Sequence, residues 1–201
     1  MQNLKIIILL VTIIICLGNK SATISKKKAV TPVKNPIVTM KTSFGDIEIE
    51  LFEKQSPVST RNFLNYVTKG FYRKTIFHRV IDGFMIQGGG FTAQMQEKPT
   101  SPPIINEPTN GITNDIGTIA MARTSDVNSA TAQFFINVAN NTPLNHTSES
   151  QAGYGYAVFG KVTKGMPVVN RIKKVKTSDQ NGYQDVPVDP IEIIDIVMVK
   201  N

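Results

Sequence analysis

The 201-residue sequence has one cysteine, two histidines, no tryptophan and no apolar run long enough to cross a bilayer. Cys16 has no second thiol to pair with, so an intramolecular disulfide is excluded. His78 and His146 show no ligand spacing, which leaves metal-dependent hydrolysis without a recognisable donor set. No GxSxG elbow or comparable nucleophile motif is present. Asp82 lies near His78 in sequence, but such pairs are common by chance, and triads follow no fixed order. Gly88-Gly89-Gly90 lacks the Lys-Ser/Thr of a phosphate loop and leads into no helix, which argues against nucleotide binding. The longest apolar run, residues 6–17, would extend about 18 Å as a helix, against about 30 Å of hydrocarbon. With 41% hydrophobic and 18% charged residues, the chain is neither a disordered acidic tail nor a membrane bundle. Its length allows one domain, or two small ones at most.

Acidic residues are absent before residue 37. Over the whole chain 22 Lys+Arg face 15 Asp+Glu, a formal +7 that by itself would raise nucleic acid or an anionic membrane as partner. Six of the basic residues precede residue 37, and from there on 16 basic residues face 15 acidic ones, leaving +1. The body is nearly neutral, and no nucleic-acid partner is expected. Residues 1–18 join a charged start to a short apolar run, the signature of a secretory signal peptide, with cleavage expected between 18 and 22. Cys16 after an aliphatic run raises lipid anchoring as an alternative, but Ile15 stands where that pattern wants a small residue. Removal of the segment would leave no cysteine, and hence no thiol catalysis. Residues 19–36 are polar and cationic and read as a flexible basic linker. Its Lys26, Lys27 and Lys28 offer a weak contact to anionic lipid, about 1 kcal/mol per charge near a surface. A simply solvated linker is the blander alternative.

Residues 37–201 read as one sheet-dominated domain without internal repeats. Asp46-Ile47-Glu48-Ile49-Glu50-Leu51 alternates acid and aliphatic as a half-buried strand requires, and Ser43-Phe44-Gly45 turns it back onto a β-rich segment at 37–42. Ser56 as N-cap, Pro57 at the first helical position, an apolar face of Phe63, Leu64 and Val67, and Gly70 as stop predict a helix. Further strands are expected at 75–80, 84–88, 118–122, 134–138, 157–162 and 191–199, with a second helix at 166–174. Many strands broken by Gly, Pro and Asn turns, with two helices, predict a mainly β fold: a closed barrel with helical plugs.

Five fragments carry the functional signal: Phe77-His78-Arg79-Val80; Phe84-Met85-Ile86-Gln87-Gly88-Gly89-Gly90; Met121-Ala122-Arg123; Gln133-Phe134-Phe135-Ile136-Asn137; and Tyr156-Ala157-Val158-Phe159-Gly160-Lys161-Val162. In strands they would set one Arg, one Gln and several Phe and Met side chains on a common face. Taken singly, each reads as ordinary core plus a surface cation. Together, in order and spacing, they resemble the cyclophilin family of peptidyl-prolyl isomerases over about residues 37–200, in particular its exported bacterial type.

The resemblance implies a closed antiparallel eight-stranded barrel capped by two helices. It also implies isomerase activity on proline-containing unfolded or partly folded polypeptides, no cofactor or metal, a monomer, and a periplasmic place of work. The family's catalytic arginine falls on Arg79, with Gln87 and Phe84 beside it in the catalytic group. Phe84, Met85, Phe135 and Leu144 would form the proline pocket, and Gln87 and Gln133 would make polar contacts. Main chain at Ala122 and Arg123 would hold the peptide. His78 matches a neighbouring site residue, and Tyr156 stands where a second histidine is usual. Pro143 falls near the position of a tryptophan that helps many eukaryotic relatives bind cyclosporin, so high drug affinity is not expected. Residues 145–153 read as a mobile polar loop. A second reading keeps the fold and discards the chemistry: a module that captures Pro-containing segments without catalysis.

Overall fold

The computed structural model describes residues 34–199. The expected signal segment at 1–18, Cys16 and the lysines Lys26, Lys27 and Lys28 lie outside the described residues. The end of the expected linker is already tied to the domain. Asn35 Nδ2 donates to the Glu50 carboxylate at 3.0 Å, and the Pro36 carbonyl accepts the Leu51 N–H at 2.8 Å.

The first hairpin follows from its alternation. In β2 (Gly45–Leu51), Ile47, Ile49 and Leu51 are fully buried while the acids between them are not. The strand pairs along its length with β1 (Ile37–Thr42). At the turn Gly45 has φ 122°, a conformation that favours glycine. The Thr42 hydroxyl braces it, donating to the Gly45 carbonyl at 2.6 Å and accepting the Phe44 N–H at 3.1 Å.

Helix α1 (Pro57–Thr68) starts with Pro at its first turn, as expected. It ends in paired bonds from the Gly70 N–H to Val67 and from the Phe71 N–H to Tyr66, with Gly70 at φ 63°. The N-terminal cap differs from expectation. Ser56 holds the cap position, but its hydroxyl donates to the Val158 carbonyl at 2.6 Å instead of accepting a helical N–H. The cap is supplied by Glu107, whose carboxylate accepts the Val58 N–H at 3.0 and 3.1 Å and the Ser59 N–H at 3.4 Å. Burial nevertheless pushes the Glu107 carboxyl above its ordinary range, with those two N–H groups pulling the other way.

The remaining elements are β3 (Thr75–Ile81), β4 (Met85–Thr92), β5 (Thr118–Met121), β6 (Phe134–Asn137), β7 (Val158–Lys164), α2 (Met166–Ile172), β8 (Thr177–Gln180), β9 (Tyr183–Pro187) and β10 (Glu192–Met198). Eight strands close into a barrel in the order β1-β10-β3-β4-β6-β5-β7-β2, every pair antiparallel. Phe63, Tyr66 and Val67 of α1 and Val168, Val169 and Ile172 of α2 join the same buried cluster as the inward strand residues. Burying one such Phe or Ile side chain stabilises by about 1.5–3 kcal/mol, so the two helices are part of the core and not attachments to it.

Two features depart from the expected pattern, and a third adds detail to it. Strand β4 continues past Gly88 to Thr92, because the three glycines serve packing and not a turn. A Cβ on Gly89 would come within 2.7 Å of the Phe134 ring and 2.9 Å of Tyr72, and one on Gly90 within 2.5 Å of Gln133. Second, β8 and β9 form a separate two-stranded hairpin that was not expected. Its turn is Asn181-Gly182, both at positive φ (51° and 82°), the geometry an Asn-Gly hairpin prefers. Third, the 145–153 segment closes on itself: the Gly153 carbonyl accepts the Thr147 and Ser148 N–H groups, and the His146 ring bonds the Tyr154 carbonyl.

Candidate active site

The barrel interior is filled, so a site built from its strands has to lie on the outer face. Strand β6 shows how adjacent residues divide. Phe134 and Ile136 belong to the main core, and Phe135 between them packs in a second cluster with Met85, Ala120 and Val158. The same alternation sends Ile86 inward and Met85 and Gln87 outward on β4, and Ile119 inward and Ala120 outward on β5.

Arg79 reaches that face through a break in alternation. Phe77 and Val80 of β3 both lie in the core although they are three residues apart. The register explains it: Phe77 pairs with Gly88 and Arg79 with Gln87, so His78 is the extra residue of a β-bulge. Without that bulge Arg79 would point into the barrel. With it, Arg79, Gln87, Phe135 and Ala120 stand in one row across β3, β4, β6 and β5, each paired with the next.

That row borders a cavity of about 100 Å³ lined by Arg79, Phe84, Met85, Gln87, Ala122, Arg123, Phe135, Leu144 and Tyr156. Met85 and Phe135 form its apolar floor, at 2% and 4% exposure. Tyr156 meets Phe135 edge to face at 5.6 Å, and the Arg123 guanidinium lies over the Tyr156 ring at 4.5 Å. Buried carboxamides support the rim from below. Asn141 Nδ2 donates to the Phe84 carbonyl at 2.8 Å and to Asn137 Oδ1 at 2.6 Å, and Asn137 in turn donates to Thr118 Oγ1 at 2.8 Å. Gln87 Nε2 donates to Gln133 Oε1 at 3.0 Å, and Gln133 reaches Glu97 at 3.4 Å.

Nine of the eleven expected site residues therefore line one cavity. Gln133 and His78 do not. Gln133 lines the adjoining polar grooves, held by Gln87. His78 is 4% exposed with its ring 4.6 Å from Phe91, and its Nδ1 has no hydrogen-bond partner among the described residues. Burial, aided by the Arg79 charge, lowers its pKa to about 4, so the ring is neutral at neutral pH. The Ala122 N–H is committed to the Gln133 carbonyl at 3.0 Å, and the Arg123 side chain is folded back on Gly155 and Thr124. Pro143 is exposed, in a short 3-10 turn at Thr142–Leu144 next to the rim.

Sequence reasoning missed the side of the site formed by β8 and β9. Tyr183 packs on Phe91 at 5.1 Å, and Asp185 Oδ2 lies 3.7 Å from Arg79 Nε. The Asn181-Gly182 dipeptide would have located the hairpin; nothing in the sequence pairs Asp185 with Arg79. The groups facing the cavity are the guanidiniums of Arg79 and Arg123, the Gln87 carboxamide, the Tyr156 phenol ring and apolar side chains. Among the described residues, no cluster of three or more His, Cys, Asp or Glu could hold a metal ion.

Residues 37–198 match the family described as cyclophilin type peptidyl-prolyl cis-trans isomerase/CLD. The chain is 58% identical over 156 residues to peptidyl-prolyl cis-trans isomerase cyp18 of Streptomyces antibioticus, covering 78% of this chain and 94% of that one. It is 53% identical over 163 residues to peptidyl-prolyl cis-trans isomerase B of Escherichia coli K12, covering 81% and 99%. A crystal structure of a cyclophilin type isomerase from Cryptosporidium parvum superposes with a TM-score of 0.68 at 30% identity, covering 83% of this chain and 99% of that one. A further structure from that organism, in the presence of the dipeptide Ala-Pro, matches with the same score and identity.

Proposed function

Because this chain belongs to the cyclophilin-type peptidyl-prolyl cis-trans isomerases, we propose that Arg79 performs the isomerisation by donating to the proline nitrogen over the Phe84–Met85–Phe135 pocket. Amide resonance sets a barrier of roughly 18–20 kcal/mol to X–Pro rotation and makes the uncatalysed reaction take tens to hundreds of seconds. No bond is made or broken, so neither nucleophile nor metal is required. In the twisted transition state the nitrogen pyramidalises and regains a lone pair, which a fixed guanidinium can meet. The planar ground state offers no such acceptor, so the interaction lowers the barrier and not merely the Michaelis constant. One charge-assisted hydrogen bond of about 1.5–3 kcal/mol amounts to one to two decades of rate. The apolar floor grips the pyrrolidine ring and keeps water from competing for the donor.

The observation that carries the proposal is the bulge at His78, which sets a half-exposed Arg79 beside the apolar floor. Its direct test is two-dimensional NMR exchange on a short Ala-Pro peptide. The wild type should give strong cis/trans cross-peaks, and Arg79→Ala should lower the exchange rate at least about tenfold. Arg79→Lys should fall between them, since an ammonium lacks the planar fork. Undiminished exchange with Arg79→Ala would remove Arg79 from the mechanism.

The clients we propose are unfolded or partly folded exported polypeptides containing proline. The charged start, short apolar run and cationic linker of residues 1–36 support an extracytoplasmic, periplasmic place of work. Mass spectrometry of the protein from its host should find a mature chain beginning between residues 18 and 22 without lipid. An intact N-terminus would refute export by this route.

A further inference from the structure

The contact between β9 and the guanidinium has a feature that stability does not explain. Pairings on either side of it join Ser178 to Val186 and Gln180 to Tyr183, so Gln184 and Asp185 together oppose the single residue Asp179. This is a β-bulge, a device that re-aims a side chain. Asp185 sits in it at φ 59°, the left-handed region that costs a non-glycine residue of order 1 kcal/mol. The turn requires positive φ only at Asn181 and Gly182, so the strain at Asp185 is separate from chain reversal. What the strain produces is a carboxylate oxygen 3.7 Å from Arg79 Nε, with the two side chains 43% and 39% exposed. An ion pair this exposed stabilises a fold very little.

We infer that Asp185 is a positioning residue for Arg79: it holds the guanidinium by its Nε edge, so that the two terminal nitrogens face the proline pocket. The inference rests on the reading of Arg79 as the donating group. Other restraints on the guanidinium are weak. Gln87, the cross-strand neighbour of Arg79, spends its amide on Gln133, and Asp185 is the one side chain paired with Arg79 among the described residues. The hairpin is itself well seated, through buried Val186 and the contact of Tyr183 with Phe91. A residue that orients a donor acts on the rate of rotation more than on peptide affinity.

The test uses the peptide exchange assay, with rate and peptide affinity read separately, on wild type, Asp185→Asn, Asp179→Asn, Arg79→Ala and the Asp185→Asn/Arg79→Ala double variant. Asn tolerates the left-handed conformation, so the hairpin persists while the charge goes. Asp179→Asn makes the same charge change on the same hairpin, at an exposed position with no ion pair to Arg79 among the described residues. Asp185→Asn should lower the exchange rate about three- to tenfold with affinity nearly unchanged, and Asp179→Asn should leave both alone. In the Arg79→Ala background the Asp185 substitution should add nothing. Asp185→Gly relieves the strain, and should lose the same activity while melting no earlier than wild type. A wild-type rate for Asp185→Asn beside a slow Arg79→Ala would overturn this inference alone. An equal loss for Asp185→Asn with and without Arg79 would also overturn it, since the carboxylate would then act by another route. A wild-type rate for Arg79→Ala would remove the donor reading, and the role of Asp185 with it.

Discussion

Phe134 and Phe135 are neighbours on β6, and the strand sends them to opposite sides of the same sheet. Phe134 is fully buried and meets Phe63, Tyr72 and Phe77 edge to face, at 5.8, 5.6 and 6.2 Å. Phe135 is nearly as buried but has one side on a cavity, with Tyr156 at its edge. Burial alone therefore does not tell the two roles apart; the identity of the neighbours does. The inner face is closed by other rings and can only stabilise. The outer face is left incomplete, and a proline ring is of a kind to complete it. One set of strands thus carries both the stability and the chemistry, separated by side-chain alternation and by the bulge at His78.

Substitutions should separate the two faces, beginning with the largest effect. Phe134→Ala should cost about 3–5 kcal/mol of unfolding free energy, measured by urea denaturation. Phe135→Ala should cost clearly less, yet weaken both proline-peptide binding and turnover. Equal stability losses with normal turnover in Phe135→Ala would erase the distinction between the faces.

His78 sits at the boundary, and its titration measures how far burial extends under the outer groove. Its pKa falls from 6.5 to about 4 in the fold, so above pH 6.5 the ring is neutral in both states and its ionisation contributes nothing to stability. As pH falls from 6.5 to 4 the unfolded chain takes up a proton that the folded one refuses, and stability declines. By about pH 4 the loss from this group should approach 3 kcal/mol, and it levels off about a pH unit lower. Denaturation midpoints followed over this range should fall more steeply for wild type than for His78→Gln. Parallel curves would show the ring to be solvated. A smaller effect belongs wholly to the inner architecture. Glu107→Ala uncaps α1 and should cost about 1 kcal/mol, with peptide exchange per folded molecule unchanged.

The inner face was the more legible of the two in the sequence. The alternation of β2, the Pro57 start and the Gly70 stop are local signals, and the structure follows them. The glycine triplet looks locally like an end of strand, because its reason is non-local: the Phe134 ring on β6 and the Tyr72 ring in the turn before β3 press against Gly89. Strands β8 and β9 were missed because Thr177–Gln180 and Tyr183–Pro187 are polar and half-exposed, with no apolar alternation. The cap from Glu107 and the pairing of Asp185 with Arg79 join residues far apart in sequence. Only the closed barrel brings them together, and no spacing rule reports such contacts. The apolar floor and Arg79 were found through the run of linked motifs, while the bulge that aims Arg79 is visible only in the register.

The separation of the faces is tested most directly by Arg79→Ala, with unfolding free energy and Ala-Pro exchange rate measured on the same sample. Arg79 is half-exposed and its one ion pair among the described residues is a weak one, so the account predicts an exchange rate at least about tenfold lower with stability within about 0.5 kcal/mol of wild type. A wild-type rate, or a loss of rate that merely tracks a loss of fold, would contradict it.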